Sequence, residues 1–348
     1  MPHHRPVLLA LLVALATPGL AACSDGDEIA VGSVAASAVS DPIDGRTLSV
    51  MVPTGELEVA LAGPTDEVGD QRAADDGRLL RLTTDFHDAE VRSDVWAFAA
   101  REGEAEPVTL AIDVDGERYD VGTVRRGASG GGDLAPDDAV LAVPGDAELD
   151  DVTVVVGYDG LDQAVSAADG TREPGPADAL YDQEERGATV PCTGGRFRPR
   201  LDPDLRCNAG EARMLPYLPD LGWAADGRAW LVVGLGTEMG PISVNDAGYA
   251  VTDVRDRTTY DGQQPVATYD ERADNSAYSA QLAFDVPKKS GSEGVLRVRL
   301  DYRLKLAAGD APAGGGPGRL TYTAVVAVPP ATPADGPATD PATDPATD

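Results

Sequence analysis

Residues 296–306, LRVRLDYRLKL, alternate apolar and polar at every step. Leu296, Val298, Leu300, Tyr302, Leu304 and Leu306 fall on one side. Arg297, Arg299, Asp301, Arg303 and Lys305 fall on the other. Successive strand side chains point to opposite faces, so this pattern predicts a strand with one buried face and one wet face, as in an antiparallel sheet. Shorter runs of strand character occur at 48–52, 57–61, 79–84, 95–99, 108–114, 121–124, 140–143 and 152–158, and again at 230–235, 250–254, 278–286, 295–306 and 320–328. Turn-rich stretches such as AGPTDE, DVDGER and RRGASGGGDLAPDD separate them. No segment of comparable length carries a helical period, and the expected class is all-β.

The runs fall into two groups. Residues 46–166 form one expected body and 191–330 the other, with a Gly-, Pro- and acid-rich linker over 167–190. Residues 23–45 read as a flexible tether. The tail, 331–348, carries repeated PATD units and reads as disordered. The two groups also resemble each other. AADDGRLLRL (73–82) matches AADGRAWLVV (224–233), and DVDGERYD (113–120) matches DVRDRTTYD (253–261). LAVP (141–144), leading to Tyr158, matches FDVP (284–287), leading to Tyr302. The shared order predicts a tandem duplication. Seven or so short strands per half, with turns every 8–12 residues, suit a β-sandwich. The stretch AWLVVGLGTEMGPISVNDAGYAVTD, with LAFDVPKK and LRVRLDYRL after it, resembles the telokin-like, immunoglobulin-like domains of secreted actinobacterial and firmicute proteins. That resemblance covers roughly 100 residues. It implies two tandem immunoglobulin-like antiparallel β-sandwiches and no shared catalytic site.

The first 22 residues read as an export signal. Arg5 precedes an apolar core at 7–16, which Thr17-Pro18-Gly19 breaks. This core is too short to span a bilayer, which takes about 20 residues. Leu20-Ala21-Ala22-Cys23 then resembles the lipobox of bacterial lipoproteins: an aliphatic residue, two small ones and a cysteine. The resemblance implies cleavage before Cys23, a lipid on its sulfur and attachment to the outer face of the cytoplasmic membrane. Each buried methylene contributes about 0.8 kcal/mol, and two chains hold stably where one is marginal. The alternative is an ordinary cleaved signal that leaves Cys23 free.

Charge narrows the partners. The chain carries 28 Lys and Arg against 59 Asp and Glu, a net charge of −31. Such a chain repels nucleic acid and anionic headgroups, so nucleic-acid binding is rejected. Arg far outnumbers Lys, which together with abundant Ala, Gly, Pro and Asp reads as the mark of a GC-rich, actinobacterial genome. With Cys23 taken by lipid, Cys192 and Cys207 remain, and in an oxidising compartment their expected state is a disulfide.

Candidate chemistry is sparse. His87, the one histidine after residue 22, lies between Asp85 and Asp88 in TTDFHDAE. No serine stands in a nucleophile-elbow context to complete a triad, and a surface role is expected. Carboxylates are abundant, but no glycosidase pair stands out, and aromatics, at 5%, are scarce. Asp113, Asp115 and Asp120 cluster at a turn, as do Asp253, Asp256 and Asp261. Both are weak Ca²⁺ candidates that miss the EF-hand template, with a solvated turn as the plainer reading. In CTGGRFRPRLDPDLRC, Arg196, Arg198, Arg200 and Arg206 outweigh Asp202 and Asp204, and Phe197 adds an apolar group. This loop is a candidate contact for an anionic envelope polymer or an acidic protein. The competing reading has these arginines neutralise acids of the same chain. MLPYLPDLGW (214–223) is irregular and Pro-broken, and is expected to pack between the bodies.

The function expected from these features is a lipid-anchored cell-envelope protein acting as a non-catalytic interaction or ligand-binding module. The alternatives are a solute-binding lipoprotein of a transport system, which would bring helices and a hinge, and a secreted hydrolase.

Overall fold

A computed structural model describes residues 28–37, 39, 41–88, 106–124, 137–173, 175–181, 185–186, 189–274, 277–288, 294–310 and 316–328. The export signal, Cys23, the expected strand at 95–99 and the tail at 331–348 lie outside them. The described residues are all-β, with short 3-10 turns as their only helical pieces.

The chain builds two bodies, each of two sheets facing across an apolar core. The first opens with β1 (Glu28–Ile29) and β2 (Val34–Ala36), then the hairpin β3 (Arg46–Val52) to β4 (Gly55–Thr65). A small hairpin, β5 (Glu67–Val68) to β6 (Gln71–Ala73), leads to β7 (Gly77–Asp88). The hairpin β8 (Val108–Val114) to β9 (Glu117–Thr123), then β10 (Asp138–Pro144), β11 (Val152–Tyr158) and β12 (Leu161–Ser166), complete it. One sheet runs β2-β10-β7-β4-β3 and the facing one β12-β11-β8-β9. Alternation fills the space between them: Leu57, Val59, Leu61, Leu82, Ile112 and Val154 are fully buried.

The second body holds β13 (Glu185–Arg186), β14 (Val190–Pro191), β15 (Thr193–Arg198), β16 (Leu205–Leu215), the hairpin β17 (Tyr217–Leu218) to β18 (Gly222–Trp223), and β19 (Arg228–Met239). There follow β20 (Ile242–Val244), β21 (Ala247–Asp256), β22 (Thr259–Tyr260), β23 (Ala267–Ala273), β24 (Ala277–Pro287), β25 (Gly294–Ala308) and β26 (Arg319–Val328). One sheet, here the near sheet, runs β13-β16-β19-β24-β23; the far sheet runs β15-β26-β25-β21-β20. Leu231, Phe284, Leu296, Leu300 and Leu320 lie between them, each fully buried.

Two of the three internal matches fall at equivalent places. Leu80 and Leu82 of β7 face the first core, as Leu231 and Val233 of β19 face the second. Leu141 pairs with Leu80 as Phe284 pairs with Leu231, and Pro144 opposes Gly77 as Pro287 opposes Arg228. The DVDGERYD match does not carry over. There β9 turns back on β8 through Asp115-Gly116, both at positive φ, whereas β22 pairs with β25.

Two expected connectors are structured instead. Within the expected tether, Glu28 and Ile29 pair with β6, Val34–Ala36 pairs with β10, and Ile29 is buried. Arg81 fixes the segment that follows: its Nη2 donates to the carbonyls of Val39 and Asp41, each at 2.8 Å, while its Nε donates to Asp138 at 3.1 Å. Within the expected linker, the turn Pro176–Leu180 buries Ala177 and Leu180 against Met51 and Leu161. Tyr181 donates to Gln163 at 3.0 Å and accepts the Met51 N–H at 2.9 Å. Apolar residues in each segment find a surface to cover, and hydrogen bonds then fix the backbone.

The hairpin β17–β18, read as inter-body packing, does join the bodies. Leu218 and Leu221 cover Val232 and Ala283 on the outer side of the near sheet. Tyr217 and Trp223 turn the other way, into the first core, where they meet Tyr158 edge-on at 5.4 and 6.5 Å. The Trp223 indole N–H donates to the Tyr158 carbonyl at 3.0 Å. Burial, with Tyr158 and Asp159 close by, pushes the Tyr217 phenol well above its ordinary range.

Candidate functional site

The outer side of the far sheet gathers positive charge. The wet face of β25 contributes Arg297, Arg299, Arg303 and Lys305 with Asp301. Register brings its neighbours into rows. Arg303 stands opposite Arg319 on β26 and Asp253 on β21. Asp301 stands opposite Thr321 and Arg255, and Arg299 opposite Thr323. Beyond β26, β15 adds Arg196 opposite Thr323 and Arg198 opposite Thr321. The lead arginines of the disulfide loop therefore lie on the same sheet face as a strand a hundred residues later.

Arg257, just past β21, leans over this face. It sits 3.3 Å from Asp301, which also lies 3.7 Å from Arg299 and accepts from the Thr321 hydroxyl at 2.7 Å. Asp253 lies 3.6 Å from Arg255. Both acids of the face are thus engaged by arginine. Among the described residues, Arg303 and Arg319 have no ion-pair partner, although they stand directly opposite each other. Like charges so placed repel. Asp253, Arg255, Arg257, Arg299, Arg303 and Arg319 line an open depression of about 280 Å³, and the Tyr302 ring lies on the core side of the same sheet. Burial pushes that phenol up to about 12.

The remaining members of the expected contact loop divide. Phe197 is half-buried, its ring tilted against Tyr322 at 5.1 Å, and with Arg196, Arg198 and Arg200 it lines an open depression beside the disulfide loop. Arg200 lies in the exposed turn after β15. Arg206 belongs to β16 in the near sheet, 3.9 Å from Glu238, and does not join the cationic face. The expected disulfide is present: Cys192 and Cys207 are bonded, with Cα atoms 5.3 Å apart. It fastens the lead into β15 of the far sheet to β16 of the near sheet.

Most of the Ca²⁺ candidates are engaged locally, while Asp115 stands exposed in the β8–β9 turn at positive φ. Asp113 accepts the Gly116 N–H at 2.8 Å, and Asp120 lies 3.6 Å from Arg118. Asp256 accepts from the Thr258 N–H and the Tyr278 hydroxyl, while Asp261 accepts from the Val295 N–H. Among the described residues no group of three or more His, Cys, Asp or Glu is placed to hold a metal ion. His87 sits half-exposed on β7, 3.6 Å from Asp85 and 3.8 Å from Glu58, and no described serine hydrogen-bonds to it.

The cationic face was half visible in the sequence. The alternation over 296–306 marks it as wet, but only pairing across β15, β26, β25 and β21 makes it a patch. No protein-family model and no curated protein matches the chain, and the site is read from its own geometry.

Proposed function

We propose that this chain is a docking module of the cell envelope. In this reading, two immunoglobulin-like β-sandwiches are kept outside the cytosol by lipid on Cys23, and the module holds an anionic partner without transforming it. The observation that carries the reading is the segregation of charge. Nine of the chain's 28 cationic residues serve one sheet face, where among the described residues Asp253 and Asp301 are the acids that oppose them, while the whole chain stands at −31. Such asymmetry orients an anionic partner toward that face and repels it from the rest. The immunoglobulin-like reading rests on strand order. In both bodies a long strand pairs with one that arrives after a crossing, β7 with β10 and β19 with β24. The other sheets carry the runs β8-β11-β12 and β21-β25-β26. A disulfide fits an oxidising compartment.

Labelled palmitate fed to producing cells tests the anchor. Label is expected on the parent and not on Cys23→Ala, which is released to the medium; an unlabelled parent refutes it. Cosedimentation of the mature chain from Ser24 onward with envelope material tests docking. Salt-sensitive retention is expected, and no retention at low salt ends the reading.

A further inference from the structure

Resting on that docking reading, we propose that the cationic face binds a linear polymer whose negative charges are phosphates, laid across the rows of the far sheet.

Arg303 and Arg319 are held opposite each other without a carboxylate between them. The two neighbouring acids are already engaged, Asp301 by Arg257, Arg299 and Thr321, and Asp253 by Arg255. The repulsion is relieved when an anion sits between the two guanidiniums. Arginine offers a planar fork of donors that matches phosphate oxygens, and the pairing strengthens when both partners are charged.

The extent of the face selects a chain over a single ion. Cationic positions recur in successive rows about 7 Å apart along β25, and strands lie about 4.8 Å apart across the sheet, from Arg255 through to Arg196 and Arg198. Thr323, in the row of Arg196 and Arg299, adds a hydroxyl donor, while that of Thr321 is already given to Asp301. The face has no exposed aromatic side chain among its described residues: Tyr302 and Tyr322 point into the core. A ligand held by base or sugar stacking therefore finds no platform here, and charge with hydrogen bonding carries recognition. The acidic remainder of the chain confines the polymer to this one side.

The test uses fluorescence anisotropy of labelled inorganic polyphosphate with the mature chain at several salt concentrations. Polygalacturonate, whose charges are carboxylates, serves as competitor. The parent is expected to bind with a steep salt dependence. Arg303→Ala/Arg319→Ala should weaken binding about tenfold and lower the log-log salt slope by roughly 1.4, about 0.7 per lost contact. Arg303→Lys/Arg319→Lys should recover the slope but only part of the affinity. Arg206→Ala, on the opposite sheet, should match the parent. Far-ultraviolet circular dichroism and the urea midpoint verify that each variant is folded.

Four results overturn the proposal: no binding of polyphosphate by the parent near physiological salt; competition by polygalacturonate as effective as by unlabelled polyphosphate; equal loss in Arg206→Ala; or a dimer on gel filtration that Arg303→Ala/Arg319→Ala dissolves, which makes a second copy the occupant. A truncation ending at Val328 that gains the affinity lost by the double variant assigns the face to the acidic tail and overturns it too. Envelope cosedimentation separates the two readings. Retention of a parent that ignores polyphosphate sinks the phosphate assignment alone, while loss of both sinks the docking reading as well.

Discussion

Tyr217→Ala is the sharpest test of how the two bodies hold together. Tyr217 belongs to the second body by chain, yet its ring is 7% exposed and lies in the first core. Truncating a buried aromatic to Ala costs about 3–5 kcal/mol. Two edge-on partners, Tyr158 at 5.4 Å and Trp223 at 5.2 Å, place this site toward the upper part of that range, at about 4 kcal/mol. The cost falls on the joint. The hairpin keeps Leu218 and Leu221 on the near sheet, while the first core loses its plug. Urea unfolding followed by tryptophan fluorescence in a Trp96→Phe background reads this, because Trp223 stands at the joint and Trp230 on the near sheet. The parent should unfold in one coupled transition. Tyr217→Ala should split it, with the first body melting earlier. Trp223→Phe, which keeps a ring but removes the indole donor to the Tyr158 carbonyl, should cost a smaller 1–2 kcal/mol or so. A Tyr217→Ala midpoint indistinguishable from the parent, with one transition retained, refutes the joint as described.

Replacing Cys192 and Cys207 together by Ser opens a link of sequence separation 15 and should lower stability by about 3 kcal/mol, seen as a lower urea midpoint that reductant reproduces in the parent. Arg81→Leu removes the donors to Val39, Asp41 and Asp138 and should cost about 3 kcal/mol; protease cleavage near residues 39–41 should rise with it. Alkaline pH should unfold the chain through its buried phenols. Tyr302 is held up to about 12, above the unfolded value near 10, so its contribution is full below about pH 10 and is lost as pH climbs through 12. Tyrosinate absorbance and circular dichroism should change together there, and Tyr302→Phe should shift the transition upward.

Where alternation is strict, the strands were legible. The runs at 108–114 and 152–158 coincide with β8 and β11, and 320–328 lies within β26. The missed strands each break the rule. In β16 a register shift between Ala209 and Ala212 interrupts the period, and apart from Leu215 at its end its buried positions are Cys and Ala rather than large aliphatics. β23, ATYDERA, is an edge strand with mostly exposed positions. β15 is short and Gly-rich, which reads as loop until β26 pairs with it. The cationic face hid for a related reason. Period two tells which side of β25 is wet, but says nothing of which strands lie beside it. Only the order β15-β26-β25-β21 sets Arg196 and Arg198 next to Arg299 and Arg303. Proximity in sequence does not make a shared surface: a change of sheet carries Arg206 away from the other arginines of its loop.

The pairing of β1 with β6 shortens the leash. Five residue steps separate Cys23 from Glu28, and a fully extended chain covers at most about 3.6 Å per step, or roughly 18 Å. With an acylated Cys23, the first body would ride close above the lipid headgroups instead of swinging on a long stalk, and reach into the wall would fall to the length of the two docked bodies themselves.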